Sequence, residues 1–395
     1  MEVQKIRRII FLRDVAWLAI TAFGGAQVHI AMFLDLLVKK RGYLNEKDFL
    51  ELNALCQVLP GPTSTQTIVA LGFKIGGAKL AYLTLLVWSF PGVAIMTTFG
   101  LIFSYLHEQK VSLEFMRFVQ PIAVGFVCYA AVRITFLVVN SRTGVILMLL
   151  STLAAYFFRS PWVFPLVVVI GGLITATNYH EHEEVKDKKL KIQWANFILF
   201  WSVLILAAVL GAITQSLPIR LFENFYRNGS FIFGGGQVLI PVLLTEFVKS
   251  KGYLSEDEFL SGYGLSQFVP GPVFSFVAFV GVLSLRDCGI EWEILGGLIA
   301  ATGIFLPGVF LIFFVIRFWD ELKKYRGIKA SLEGIHAASS GLVIGGALLL
   351  FIPLSVDWLN IVIVIVTFLT LQYTKFPQPL LIVLGILAGF VWQYF

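Results

Sequence analysis

The chain has 395 residues, of which 58% are hydrophobic and 14% charged, with 37 Phe and a mean hydropathy of +0.85. Apolar runs of membrane-spanning length recur along almost the whole sequence, so no stretch remains for a sizeable soluble domain. The formal net charge of +6 does not call for a nucleic-acid partner, because the Lys and Arg residues lie at segment ends, where anionic lipid and the positive-inside bias account for them.

The N-terminal "MEVQKIRRIIFLRDVAWLAI" has basic residues before an apolar run, as a signal peptide does. Arg13 and Asp14 interrupt the run and no small-residue cleavage site follows, so it is read as mature sequence. Six apolar segments are expected first, at 11–38, 48–74, 78–106, 113–139, 143–158 and 161–177. A charged linker at 178–193 follows, and then an unpaired segment within 194–215. Six more close the chain, at 220–248, 257–284, 291–318, 328–352, 354–371 and 376–394. Cys56, Cys128 and Cys288 have no motif spacing and are expected to be buried thiols, with no disulfide framework or zinc site.

The two groups of six are copies. "FGGAQVHI" at 23–30 matches "FGGGQVLI" at 233–240, "KRGYLNEKDFL" at 40–50 matches "SKGYLSEDEFL" at 250–260, and "QVLPGP" at 57–62 matches "QFVPGP" at 267–272, each at an offset of 210. "FPG" at 90–92 finds "LPG" at 306–308 after a small insertion. Six segments return the chain to its starting side and the unpaired one carries it across, so the second copy enters reversed. The expected fold is an all-α polytopic membrane protein of two inverted-topology repeats, residues 1–177 and 216–395, with broken or re-entrant helices. Basic residues flank both ends of the first segment, which a hairpin broken at Gly24 and Gly25 would bring together; a long tilted span is the alternative. The loop at 317–329 then falls on the side of the N-terminus, read as cytoplasmic.

An interrupted helix is tolerated at membrane depth only where it is buried in protein or lines a cavity. In "PGPTSTQ" Pro62 fits the first position of a new half-helix, leaving the N–H groups of Thr63, Ser64 and Thr65 free for an anion, with their hydroxyls and Gln66 alongside. Gly61 and Gly271 lie between the prolines of the two breaks, Pro60 and Pro62 and then Pro270 and Pro272. Gly24 and Gly25, with Gln27 and His29 behind them, and Gly234 and Gly235, with Gln237, offer a second pair of breaks. His29 is matched by Leu239, and "TSTQ" by "VFSF", so the first repeat should supply most polar contacts and the second chiefly Ser275. His29 is also a candidate proton carrier. Asn45 with Asp48, and Ser255 with Glu258, have capping-box spacing and are read as scaffold. Asp14, Asp35, Glu246 and Glu333 are weaker candidates than Arg133, which is kept as an anion contact.

Together the paired "FGG" and "PGP" elements, the "KRGYL" and "SKGYL" link and the duplicated layout resemble the chromate ion transporter family, in its long two-domain form. The resemblance implies a multi-pass protein of the bacterial inner membrane that moves chromate, with sulfate as the isosteric oxyanion, and that exports chromate to confer resistance. A coupled proton or counter-anion and a homodimeric assembly are left open. The Gly-rich stretches lack the Lys and Ser/Thr of a P-loop, which argues against an ATP-driven pump. The five histidines form no HExxH, and "HEH" at 180–182 sits in a charged loop, so the reading is a protein that is not an enzyme and holds no metal or cofactor. An oxyanion channel built on the same half-helix ends is the alternative.

Overall fold

A computed structural model describes residues 2–158, 160–177, 193–233, 236–319, 326–354 and 357–394. Among the described residues there is no strand. The helices are α1 (Glu2–Thr21), α2 (Ala26–Phe33), α3 (Glu46–Val58), α4 (Thr63–Glu108), α5 (Val119–Val138), α6 (Arg142–Phe158), α7 (Val163–Ala176), α8 (Ala195–Thr214) and α9 (Leu217–Phe231). They continue as α10 (Gly236–Leu243), α11 (Glu256–Ser266), α12 (Phe276–Ser284), α13 (Ile290–Val315), α14 (Arg326–Leu354), α15 (Trp358–Tyr373) and α16 (Gln378–Tyr394). Helices long and apolar enough to cross a membrane lie at Thr63–Glu108, Glu114–Phe136, Ala195–Thr214, Ile290–Val315 and Ala330–Ile352. The linker at 178–192, its "HEH", residues 320–325 of the basic loop, and Gly234 with Gly235 fall outside the described residues.

The chain forms two compact units: Met1–Leu101, Leu190–Phe231 and Val269–Trp319 in one, and Ile102–Lys189, Ile232–Phe268 and Asp320–Phe395 in the other. In the first unit, α1 ends at Thr21 and the chain reverses through Gly24 and Gly25, whose φ angles of 98° and 83° lie in the range that favours glycine. α2 then runs back beside α1 and continues as a π-helical stretch, Leu34–Lys40. Arg41 and the Tyr43 hydroxyl donate to Asp14 at 2.8 and 3.1 Å, and Phe11 packs edge-on against Tyr43 at 5.2 Å. Residues near opposite ends of the segment thus meet: it is a hairpin, and the basic residues that a span would have separated lie together.

The same device recurs at once. α3 and the start of α4 fold back about the "PGP" turn, so that the Thr67 hydroxyl donates to Asn53 at 3.2 Å. α4 is itself bent at Gly76 and Gly77 (φ 72°) into arms 63–75 and 78–108. The arms pack closely enough that a Cβ on Gly72 would lie 2.5 Å from Thr84 Oγ1. Thirteen residues in the first arm extend only about 20 Å, short of the roughly 30 Å of a hydrocarbon core. It is a half-helix, and the break falls between 74 and 78 as the hydropathy predicts. In the second repeat α12 and α13 form the matching pair, turning at Gly289 (φ 94°), with the Gly281 and Gly296 backbones in direct contact. α9 closes this side: a Cβ on Gly303 would meet Phe225 at 2.8 Å, and the Tyr226 hydroxyl donates to the Phe200 carbonyl of α8 at 3.0 Å.

The second unit is cemented by small residues, the usual means of close approach where lipid removes the hydrophobic drive between helices. Gly171 of α7 meets Gly334 of α14 backbone to backbone, and the Gly334 N–H donates to Thr175 Oγ1 at 3.1 Å. Thr135 and Ser340 share a 2.7 Å hydrogen bond, and Ser141 bonds Glu333. At one end of the unit Arg117 pairs with Asp357 at 2.8 Å, where the Leu359 N–H and then the guanidinium hold the carboxyl below its ordinary range. The helix starts expected as scaffold are capped. Ser255 and Glu258 form a complete capping box, whereas Asn45 caps through the Asp48 N–H and its own amide reaches the Asp48 side chain instead of closing the box. Cys56 is buried as expected, but Cys288 is exposed, because it lies on the turn between α12 and α13 and not within either helix.

Candidate functional site

The site is assembled in the first unit from the "PGP" turns. Gly61 takes φ 118° and Gly271 φ 91°, values open to glycine and strained for any L side chain. After the first turn, Pro62 is the residue before the helix and not its first residue, since its carbonyl accepts the opening bond from the Gln66 N–H at 2.8 Å. The N–H groups of Thr63, Ser64 and Thr65 are therefore left without intrahelical acceptors at the positive end of the half-helix dipole. After the second turn the first bond is Ser275 N–H to the Pro272 carbonyl at 2.9 Å, which leaves Val273 and Phe274 in the same position.

Around the first turn the polar side chains are buried and unevenly satisfied. His29 has no exposed surface, sits edge-on to Trp88 at 5.3 Å, and places Nδ1 3.2 Å from the Ser64 hydroxyl. Its Nε2 makes no hydrogen bond. Trp88 Nε1 donates to Thr65 Oγ1 at 3.1 Å, which fills an acceptor position of that hydroxyl and turns its own proton elsewhere. Gln66 is 2% exposed and reaches back over the first turn, donating from Nε2 to the Pro60 carbonyl at 2.6 Å. Exchanging the amide atoms would set oxygen against oxygen there, so the orientation is fixed. One of the two amide hydrogens of Gln66 is thus already used, and its atom without a partner is the acceptor Oε1.

The two turns pack against the proline-glycine steps within α4 and α13 in a reciprocal pattern. A Cβ on Gly308, in the "LPG" of the second repeat, would lie 2.8 Å from Gln66 Nε2. A Cβ on Gly92, in the "FPG" of the first, would lie 2.6 Å from Ser275 Oγ and 3.1 Å from the Pro270 carbonyl. Each repeat's "PGP" turn packs on the other repeat's in-helix proline-glycine step. Only two glycines at each crossing let the backbones and the short polar groups come this close. The Gly271 N–H donates to the Ala22 carbonyl at 2.9 Å, which ties the second turn to the Gly24–Gly25 reversal. Ser275 Oγ is buried and unpartnered, like His29 Nε2 and Gln66 Oε1.

Of the residues expected at the site, the structure brings together Gly61, Pro62, Thr63, Ser64, Thr65, Gln66, His29, Gly271, Pro272 and Ser275, with Gly24 and Gly25 in the adjoining turn. Gln27 is exposed: two residues from His29 on α2 it is some 200° around the helix, so burying one turns the other outward. Gln237 begins α10 in the other unit, with its side chain outside the described residues. Arg133 is also in that unit, exposed and bonded to the Tyr129 hydroxyl at 3.2 Å. Asp35 and Glu246 are matched with Lys40 at 2.9 Å and Lys251 at 3.1 Å. Sequence reasoning missed Trp88 and left Gly92 and Gly308 without a role. Their signal was present in the paired "FPG" and "LPG". It also passed over Arg227 of α9, buried and bonded to Glu223 at 2.8 Å and Asn224 at 3.2 Å, where nothing in the local pattern marks a buried charge.

Comparison with known proteins places this architecture. The chain is 25% identical over 380 residues to an uncharacterised transporter of Methanocaldococcus jannaschii, covering 95% of this chain and 92% of that protein. It is 24% identical over 372 residues to a probable chromate transport protein of Synechococcus elongatus (93% and 91%), and 26% identical over 334 residues to a chromate transport protein of Pseudomonas aeruginosa (82% and 76%). No solved structure matches the chain. The Chromate transporter family model matches twice, over residues 10–176 and again over 219–390, one match to each repeat. The chain is a multi-pass membrane protein that belongs to the chromate transporter family, in the long form that carries the family's unit twice.

Proposed function

We propose that this protein is a secondary transporter of chromate, with sulfate as the competing isosteric oxyanion, and that it holds its cargo at the N-terminus of α4. The observation that carries the reading is the coincidence of three free N–H groups with unpartnered, buried polar atoms on His29, Gln66 and Ser275. Backbone donors and a helix dipole recognise a tetrahedral anion without a fixed cation, which leaves it free to depart. The Thr65 hydroxyl, aimed by Trp88, adds a donor.

Transport by alternating access follows from two oppositely oriented repeats whose breaks exchange equivalent contacts. The reciprocal Gly61–Gly308 and Gly92–Ser275 approaches are what a two-fold relation between the repeats requires, and they support this mechanism. Chromate export across a bacterial inner membrane, lowering its cytoplasmic level, is the role that suits the named relatives. The test is uptake of labelled chromate into liposomes carrying the purified chain and loaded with sulfate, with and without a pH gradient. Saturable flux that depends on the trapped anion supports the carrier. Unsaturating, voltage-driven current would replace it with a channel, and no flux of any oxyanion would overturn the reading.

A further inference from the structure

Two features of the first turn bear on which form of the anion it accepts. One is the free atom of Gln66. Oε1 is buried, can only accept, and is locked in place by the Pro60 bond and by the glycines at 61 and 308. The bond to the Pro60 carbonyl draws the side chain back over the first turn, to the N-terminal end of α4. A bare oxyanion facing Oε1 would set lone pair against lone pair and leave Oε1 unsatisfied. An oxyanion bearing one proton would donate to it.

The other feature is charge. Residues 54–73, 80–106, 267–285 and 300–316, which include both turns and the proline-glycine steps packed on them, contain no Asp, Glu, Lys or Arg. The titratable and charged groups on the elements packed around this corner are His29 of α2, the Cys56 thiol of α3, and, on α9, Arg227 paired with Glu223. A half-helix supplies roughly half a unit of positive charge. That suits a monoanion, whereas the desolvation cost of a buried ion rises with the square of its charge, and the nearby Arg227 already carries Glu223 as its counter-charge.

Resting on the first turn as the anion site, we infer that it selects the monoprotonated form of a tetrahedral oxyanion, with Gln66 Oε1 accepting the anion's own proton. Hydrogen chromate keeps that proton close to neutrality, whereas hydrogen sulfate gives it up in all but strongly acidic water. The same contact therefore separates the two isosteric cargoes. The second turn has Phe276 where the first has Gln66, so the discrimination belongs to the first repeat alone.

The experiment is competition against labelled chromate uptake by the full chain in liposomes, at one fixed, mildly acidic pH. Phosphate and arsenate carry protons there, sulfate and selenate are unprotonated dianions, and perchlorate is an unprotonated monoanion. Phosphate and arsenate should compete at least about tenfold better than the other three, the factor expected of one buried acceptor. Gln66→Met, similar in size but without the acceptor, should narrow that gap to less than threefold. Sulfate competing as well as phosphate overturns the inference, and perchlorate doing so shows that charge alone is read and overturns the Gln66 contact. Should Gln66→Met fail to fold, the panel on the unaltered protein decides. Failure of the unaltered protein to take up chromate at all would instead overturn the transport reading beneath it.

Discussion

The two "PGP" turns share a backbone and differ in chemistry. Both place a glycine at positive φ between prolines, both open a helix, and both pack on a proline-glycine step of the other repeat. The first is followed by Thr63, Ser64, Thr65 and Gln66, and the second by Val273, Phe274, Ser275 and Phe276. The two copies keep the geometry that frees amide groups, and the polar side chains lie mostly in the first. The second turn offers the same backbone geometry with one buried hydroxyl, that of Ser275.

The largest effect that would sharpen this contrast comes from the turn glycines. Gly61→Ala should cost about 1–3 kcal/mol in backbone strain and abolish chromate uptake, since its Cβ would also lie 2.9 Å from the Gln66 amide. Gly271→Ala should lower thermal stability comparably yet leave uptake measurable; equal loss of uptake in both would break the proposed asymmetry.

Next come the glycines of the in-helix proline-glycine steps. Gly308→Ala displaces the Gln66 amide and should raise the apparent KM for chromate by about tenfold, the loss of one buried polar contact. Gly92→Ala, against Ser275, should change it by less. Initial-rate uptake decides the order, and a larger effect at Gly92 would move the main anion contacts to the second turn.

A smaller effect is expected at Trp88→Phe, which keeps the ring against His29 but removes the donor to Thr65 Oγ1. One net hydrogen bond is worth about 1 kcal/mol, or roughly a fivefold rise in KM, and unchanged KM would show that the Thr65 hydroxyl does not touch the anion. The smallest transport effect belongs to the helix caps. Asn45→Ala and Ser255→Ala should each lower stability by about 1 kcal/mol while leaving affinity as it was. A shift in affinity at only one of them would show that the matched α3 and α11 are not equivalent scaffold.

Much of this was legible in the sequence because the repeat is long and its special residues are glycine and proline, whose backbone demands do not depend on context. The "PGP" turns, the Gly24–Gly25 reversal and the break between 74 and 78 follow from that. Side-chain orientation was not legible, since it depends on which face of a short helix packs. Gln27 and His29 are two residues apart and nothing in the pattern says which is buried. Nor does the sequence show that Gln66 commits one amide hydrogen to Pro60, because that bond exists only once the turn has closed. Trp88 escaped notice for a similar reason: it reaches Thr65 across 23 positions, through a hairpin whose closure at Gly76 and Gly77 sets the register.

The central claim is that the first "PGP" turn, and not its copy, holds the oxyanion. Anomalous scattering at the chromium absorption edge, from crystals of the full chain grown with chromate, tests this most directly. The account predicts one strong peak within hydrogen-bonding reach of the Thr63, Ser64 and Thr65 amides and beside Gln66. A peak at the Val273–Ser275 turn with none at the first, or one remote from both, would contradict it.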